Sequence, residues 1–253
     1  MTLPLFDLQM RRQARPDAPG VRVEWTGSVV RQVGGPEDWN GILWSDLDAA
    51  GADAVIAEQL AFYGALGRTF EWKLYSHDRP SDLAGRLAAA GFVADEAETL
   101  MVGRIGELSL SEQVPGGVEL RPVRDAAGVE LMTAVHEQAF GGDSSLVRHQ
   151  LLTQLAERPG EVEAVVAMAG GQPVSAARMQ LHPGTEFASL WSGGTVASWR
   201  GRGLYRALVA YRARLAAARG YHFLQVDAAP TSRPILARLG FAALATTTPY
   251  LSP

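Results

Sequence analysis

The sequence predicts an α/β (α+β) chain in which mixed sheets are flanked by helices. Three observations carry that expectation. From Val118 onward, runs with strand character interleave with segments of helical periodicity. A glycine-rich run, Val196-Ala197-Ser198-Trp199-Arg200-Gly201-Arg202-Gly203-Leu204-Tyr205, joins an apolar segment ending near Val196 to an Ala/Leu/Arg-rich helical pattern from about Leu204 to Arg219. The N-terminal part of the chain repeats some of the same rhythm.

The elements are read in order. An amphipathic helical pattern covers Ala54 to Leu66; Gly67-Arg68-Thr69-Phe70 then opens a strand pattern up to Tyr75, and a second helix ends in Gly91-Phe92. Ser109, Ser111, Pro115, Gly116 and Gly117 mark a polar linker, 106–117. Val118 to Val123 alternates as a strand, and Asp125 is placed to cap the helix that follows. Helices are expected from Ala126 to Ala139 and from Ser145 to Glu157, split by Gly141-Gly142-Asp143. Three strands follow, Val162 to Ala169, Val174 to Leu181 and Phe187 to Val196, separated by turn sequences at Gly170-Gly171-Gln172-Pro173 and His182-Pro183-Gly184. After the long helix come a strand from Phe223 to Val226, a short helix near Pro234 to Leu239, Gly240-Phe241, and a last strand to Tyr250.

The run at 196–205 carries the chemistry. Two glycines where a strand turns into a helix let several backbone N–H groups face one point, since no Cβ blocks close approach. Those amides and the positive end of the helix dipole form a seat for a pyrophosphate or similar anion. Arg200 and Arg202 add positive charge there. The spacing fits neither the dinucleotide fingerprint nor the G-x-x-x-x-G-K-[ST] phosphate loop. It resembles the acyl-CoA loop [QR]-x-x-G-x-[GA] of the GCN5-related N-acetyltransferases (GNAT family), with Arg200 first, Gly203 fourth and Tyr205 sixth. Tyr205 departs from the small residue usual in that place. The order of elements from about Val118 to Leu251 is similar to the family's, as is the closing Arg238-Leu239-Gly240-Phe241. The alternative is an ordinary Gly-rich connection with two solvated arginines.

The resemblance implies acetyl-CoA as cosubstrate, bound by Arg200, Gly201, Arg202, Gly203, Leu204 and Tyr205. It also implies that the family's fourth strand splays from its fifth, so that the backbone of Gly194, Thr195 and Val196 meets the pantetheine arm. The family's usual general acid is a tyrosine on the last helix; Leu236 stands in its place here. No acid occupies the fourth-strand position often used as base: Glu186 comes too early, and Trp191-Ser192 occupy the neighbourhood. Asp227, Ser232, Tyr250 and Glu137, with His136 beside it, remain as polar candidates for catalysis. Asp227 and Ser232 have a competing reading as helix caps, and His136 as a solvated helix residue.

The two halves look like a divergent duplication. Gly91-Phe92 and Gly240-Phe241 occupy matching places, and Thr99 and Thr248 follow at the same offset. Two α/β halves with a shared rhythm by chance are the alternative. Before the first copy's long helix stands Trp44-Ser45-Asp46-Leu47-Asp48-Ala49-Ala50-Gly51, whose carboxylates repel a pyrophosphate. The expected division is therefore a shortened GNAT-like domain without an acyl-CoA loop at 1–105, the linker, and an acyl-CoA-binding domain at 118–253. Trp25, Trp39, Trp44, Trp72 and Tyr75 read as packing residues, with a substrate-facing surface as the alternative. His77-Asp78 reads as a loop or capping element.

Composition excludes several classes. A net charge of −4 with a pI near 5.8 argues against a general nucleic-acid binder. No apolar run approaches membrane-span length, and the N-terminus from Met1 has no signal-like apolar stretch. With no cysteine, disulfides, zinc-thiolate sites and a cysteine nucleophile are absent. The expectation is a cytoplasmic bacterial monomer or homodimer that needs no metal. The resemblance implies that it acetylates a small-molecule amine. The competing function is a non-catalytic acyl-CoA-binding or interaction protein that kept the loop and lost acid and base.

Overall fold

The computed structural model describes residues 3–111 and 113–253. Met1 and Thr2, in the leader reading, and Glu112, in the linker, lie outside the described residues. The chain opens with α1 (Leu3–Phe6), a π-helical turn (Asp7–Arg12), and strands β1 (Arg22–Thr26), β2 (Val29–Val33) and β3 (Gly41–Ser45). Next come α2 (Ala52–Ala65), β4 (Glu71–Tyr75), α3 (Leu83–Ala89), β5 (Val93–Ala94) and β6 (Glu98–Arg104). β7 (Val118–Val123), α4 (Ala126–Phe140) and α5 (Ser145–Glu157) precede β8 (Val162–Ala169), β9 (Gln172–Leu181) and β10 (Phe187–Thr195). The chain closes with α6 (Leu204–Ala218), β11 (Phe223–Ala228), α7 (Arg233–Leu239) and β12 (Ala242–Leu251).

By contacts these residues form two compact units: 1–100 with 227–231 and 243–253, and 101–226 with 232–242. The sequence reading divides the chain at a 106–117 linker. The contact grouping instead changes unit within β6 and gives β12 to the first unit, because β12 pairs antiparallel with β4 from Thr247↔Tyr75 to Leu251↔Glu71.

In the second unit the strand order is β11-β10-β9-β8-β7. β7 to β10 are antiparallel neighbours, and β10 pairs parallel with β11. β8 is buried along its whole length, which its nearly unbroken apolar run requires of a central strand. Its one acid, Glu163, is answered by Arg124 and Arg219. Alternate side chains serve opposite faces. Val162, Ala164 and Val166 join Val129, Met132 and Val135 of α4, while Val165 joins Leu208 of α6. Asp125 caps α4 by accepting from the Gly128 N–H at 2.9 Å.

In the first unit the order is β1-β2-β3-β4-β12, with β5 on β12. β1 to β3 are antiparallel, and β3 pairs parallel with β4. This is the pairing sequence of β8 to β11, with α2 in the place of α6. The core joins Ile56 and Tyr63 of α2 to Val29, Ile42, Phe70 and Trp72. Trp72 and Tyr75 are buried, whereas Trp25 is 53% exposed and meets Trp44 at a tilt, ring centroids 5.4 Å apart, beside Arg12. Trp39 donates its indole N–H to Glu71.

The parallel pairing of β3 with β4 covers only Gly41↔Glu71 and Ile42↔Trp72. Beyond it the N-terminal segment is wedged in. Arg11, 2% exposed, donates to the Leu43 carbonyl of β3 (3.0 Å), to Asp7 (2.8 Å) and to Asp78 (2.7 Å), with its guanidinium 4.1 Å above the Tyr75 ring. Asp78 also accepts from the Tyr75 N–H, so His77-Asp78 serves a turn, and His77 Nε2 lies 2.8 Å from Asp7. The acidic segment before α2 closes on itself, with Asp48 accepting from the Gly51 N–H at 2.7 Å. Removing the Arg11 charge strands buried carboxylates. Arg11→Met is expected to cost about 3–5 kcal/mol, read as a lower urea midpoint. An unchanged midpoint would show that Arg11 is not what holds the segment in place.

Candidate active site

The loop before α6 turns on two glycines. β10 ends at Thr195, one 3₁₀ turn covers Ala197–Trp199, and the backbone then passes through Gly201 (φ +76°) and Gly203 (φ +88°). Both glycines hold the left-handed conformation that side-chain-bearing residues resist. Gly203 is the N-cap of α6 and no side chain caps the helix, so its first-turn amides stay available to an external acceptor. Arg200 does not add its charge to this mouth in the way its position suggests. Its guanidinium donates to the Thr195 carbonyl (3.1 Å) and the Ala139 carbonyl (3.1 Å), bracing the loop against the end of α4. The exposed cations at the mouth are Arg202, 4.5 Å over the Trp199 ring, and Arg206, whose guanidinium lies 3.5 Å from where a Cβ on Gly203 would stand.

Beside the loop, β10 leaves its parallel neighbour. It pairs with β11 only at Phe187↔Phe223, Ala188↔Leu224 and Ser189↔Gln225. On its other edge the register with β9 shifts between Trp191 and Gly194, and Ser192 sits at φ +49°, uncommon for a residue with a side chain. Packing behind this bulge is tight. A Cβ on Gly194 would lie 2.9 Å from the Phe140 ring, and one on Gly193 3.0 Å from the Tyr205 ring. Tyr205 is accommodated there because Gly193 opposite has no side chain. Its hydroxyl is bonded to Ser232, and burial raises its pKa. Ser175 ties the end of β10, donating to the Gly194 carbonyl at 2.7 Å with Thr195 Oγ1 2.8 Å away. Val196 N donates to the Val174 carbonyl.

The residues singled out for proton handling fall in both units. Ser232 and Glu137 belong to the second. Ser232 starts α7 without capping it, its side chain engaged with Tyr205 instead. Glu137 is exposed and accepts a long 3.4 Å bond from the Ser144 N–H, while His136 Nδ1 lies 3.0 Å from Ser144 Oγ. Asp227 and Tyr250 belong to the first. Tyr250 stands opposite Trp72 in the β12–β4 pair, against that unit's core. Asp227 does not act as a helix cap: it is ion-paired with Lys73 at 2.6 Å, and its side chain is only 7% exposed.

That pair is the centre of a cluster the sequence reading missed. Burial opposes the Lys73 ammonium, yet Asp227, Tyr75 and Glu71 together hold its pKa above the ordinary lysine value. Glu98 is pushed up to about 7, first by burial and then by the Asp227 charge, with Lys73 opposing. A carboxyl poised near neutrality suits a general base. One signal was available, since Lys73 is the only lysine in the chain. Glu98 had none beyond standing next to Thr99.

His182, by contrast, is disarmed. Ser189 Oγ accepts the Trp191 indole N–H at 2.7 Å and lies 2.7 Å from His182 Nε2. Indole is only a donor, which leaves the serine proton for the imidazole. Burial pushes the His182 pKa down to about 4. The unfolded chain, with an ordinary histidine pKa of about 6.5, then binds more protons than the folded one below that pH. This share of stability is complete above about pH 6.5 and lost as pH falls toward about 4. Urea midpoints across that window should fall in the wild type and flatten in His182→Gln.

Among the described residues no helix is long and apolar enough to cross a membrane, and no group of three acidic or histidine side chains is placed to hold a metal ion. No family model matches the chain, and no curated protein matches it. Solved structures do. A GCN5-related N-acetyltransferase from Kribbella flavida aligns over 100% of this chain and 97% of its own at 20% identity, with a TM-score of 0.76. A tandem GNAT protein from the clavulanic acid biosynthesis pathway aligns over 95% and 85% at 13% identity and TM-score 0.64. A GCN5-related N-acetyltransferase from Sphaerobacter thermophilus aligns over 90% and 81% at 15% identity and TM-score 0.63. The chain has the GNAT fold.

Proposed function

We propose that this chain is an acetyl-CoA-dependent N-acetyltransferase acting on a small-molecule amine, built from two GNAT copies of which the first, at 1–105, no longer takes acyl-CoA. One observation carries the reading: the uncapped first turn of α6 behind Gly203 adjoins the stretch where β10 has parted from β11. The donor set there fits the cosubstrate. The amides of Gly203, Leu204 and Tyr205, with Gly201 and Arg202, would hold the pyrophosphate, and Gly194, Thr195 and Val196 would line the pantetheine arm. Arg200 would act by bracing the loop. When bound, acetyl-CoA supplies an acetyl group already activated as a thioester.

The repeated pairing pattern, three antiparallel strands and then a parallel neighbour across a helix, supports the duplication. In the first copy the Arg11 segment fills the corresponding opening and Asp48 occupies a loop amide, which supports its lack of acyl-CoA. A soluble cytoplasmic enzyme, monomeric or homodimeric, fits the composition. Proximity supplies much of the rate in such a transfer. The remaining task is the amine proton, for which Asp227 is the first candidate and Glu98 the second, with Ser232, Tyr250 and Glu137 behind them.

Calorimetry tests the cosubstrate. Gly203→Val forces a β-branched residue to φ +88° and should weaken acetyl-CoA binding at least tenfold, about 1.4 kcal/mol. Unchanged affinity would sink the assignment. Steady-state rates test the base. Asp227→Asn should lower kcat/KM by about 10²-fold with acetyl-CoA affinity nearly intact. If Glu98 is the base, the rate instead rises through a pKa near about 7, and Glu98→Gln abolishes that limb. Tight acetyl-CoA binding with no turnover across a broad amine set favours the non-catalytic binding protein.

A further inference from the structure

α6 carries Leu204, Leu208, Arg212 and Ala216 on one buried stripe, so a guanidinium stands where the pattern calls for an apolar side chain. Arg212 is 1% exposed. Its Nε donates to the Leu208 carbonyl at 3.0 Å and its NH1 to the Arg178 carbonyl at 2.9 Å. No carboxylate among the described residues pairs with it. Its other terminal nitrogen, NH2, lies 3.8 Å from where a Cβ on Gly193 would stand, directly behind the β10 bulge. Burial lowers its pKa to about 10, which leaves it a cation at neutral pH. The one titratable group that acts on its charge is Tyr205 on its own helix, and burial raises the Tyr205 pKa, so it supplies no negative charge at neutral pH.

A buried cation held only by carbonyl dipoles favours any anion that forms nearby, and in a medium of low polarity that preference is strong. The bulge it supports belongs to the stretch of β10 that has left β11. On the acyl-CoA reading above, on which this inference rests, that stretch receives the thioester end of the cosubstrate. In the transfer the amine nitrogen forms the C–N bond, the C–S bond breaks, and its electron pair departs on sulfur as CoA thiolate. The amine proton passes to a chain carboxylate or to water. Leu236 has no proton to give that sulfur.

We propose that Arg212 is the electrostatic positioning residue for the departing sulfur: its charge behind the bulge favours CoA as the thiolate, replacing the hydroxyl that Leu236 lacks. The direct readout is binding rather than turnover. A nearby cation lowers the thiol pKa of bound CoA below its ordinary value of about 8.5. CoA affinity then rises with pH up to that value and levels off above it. Desulfo-CoA, which has no thiol, supplies the reference at each pH.

Calorimetry on the full chain from pH 6.5 to pH 9 should show the affinity ratio of CoA to desulfo-CoA rising by about tenfold in the wild type, the effect of a one-unit shift. Arg212→Met should flatten the rise, and Arg212→Lys should restore part of it. A structural role in bracing the bulge would weaken both ligands equally and leave the pH dependence of their ratio untouched. A flat ratio in the wild type overturns the proposal without any variant, and so does an undiminished rise in a folded Arg212→Met. Failure of desulfo-CoA to bind the wild type at all would instead remove the acyl-CoA reading on which the proposal stands.

Discussion

The structure of the second unit turns on a parallel strand pair that stops early. β10 and β11 share three residue pairs and then separate, while β10 stays joined to β9 through a bulge. Backbone groups along a parted edge need partners, and an extended polar chain such as pantetheine can supply them. Everything around the opening is arranged to keep it. Ser175 ties down the end of β10, Arg200 braces the loop that follows, and two glycines admit Tyr205 on one face and α4 on the other. The same strand separation in the first unit has the opposite outcome. There Arg11 enters from the N-terminal segment and satisfies the Leu43 carbonyl itself.

Arginine has a recurring use in this chain that composition does not reveal. Arg11, Arg31 and Arg212 are all buried, and each satisfies a different kind of partner. Arg11 joins two carboxylates and a carbonyl; Arg31 joins Glu24, Gln59 and the face of Phe62; Arg212 has carbonyls alone. The planar guanidinium suits this work because its five donors point in fixed directions. The first two are neutralised and read as structural. The third retains a net charge in a dry place, and a charge of that kind is costly to keep unless something anionic visits it.

The residues around Asp227 show how a sensible sequence reading meets a different environment. As a carboxylate at a strand end it has the type and position of a proton acceptor. Its 2.6 Å contact with Lys73 ties that carboxylate to a cation supplied from a distant part of the chain. The same ion pair helps set Glu98, whose carboxyl feels Asp227 as a repelling charge and Lys73 as an attracting one. Lys73 and Asp227 are 154 positions apart in the chain, so no local pattern relates them.

What the sequence by itself determined is what local physics controls. Strand alternation, turn glycines and helical periodicity place α4, α5, β8 and α6 within a residue of where they lie, since each answers to its own side chains and their nearest neighbours in the chain. The turn at Gly201 and Gly203 was legible for the same reason, because left-handed backbone is a demand on residue type. β1 to β3 were not read, as short antiparallel strands gain their stability from partners rather than from their own composition. The tertiary structure alone decided that β12 pairs with β4, that Arg200 turns to carbonyls, and that Glu98, Lys73 and Asp227 share one environment. Burial and charge are properties of a position in space, and a residue acquires them only when distant parts of the chain have closed around it.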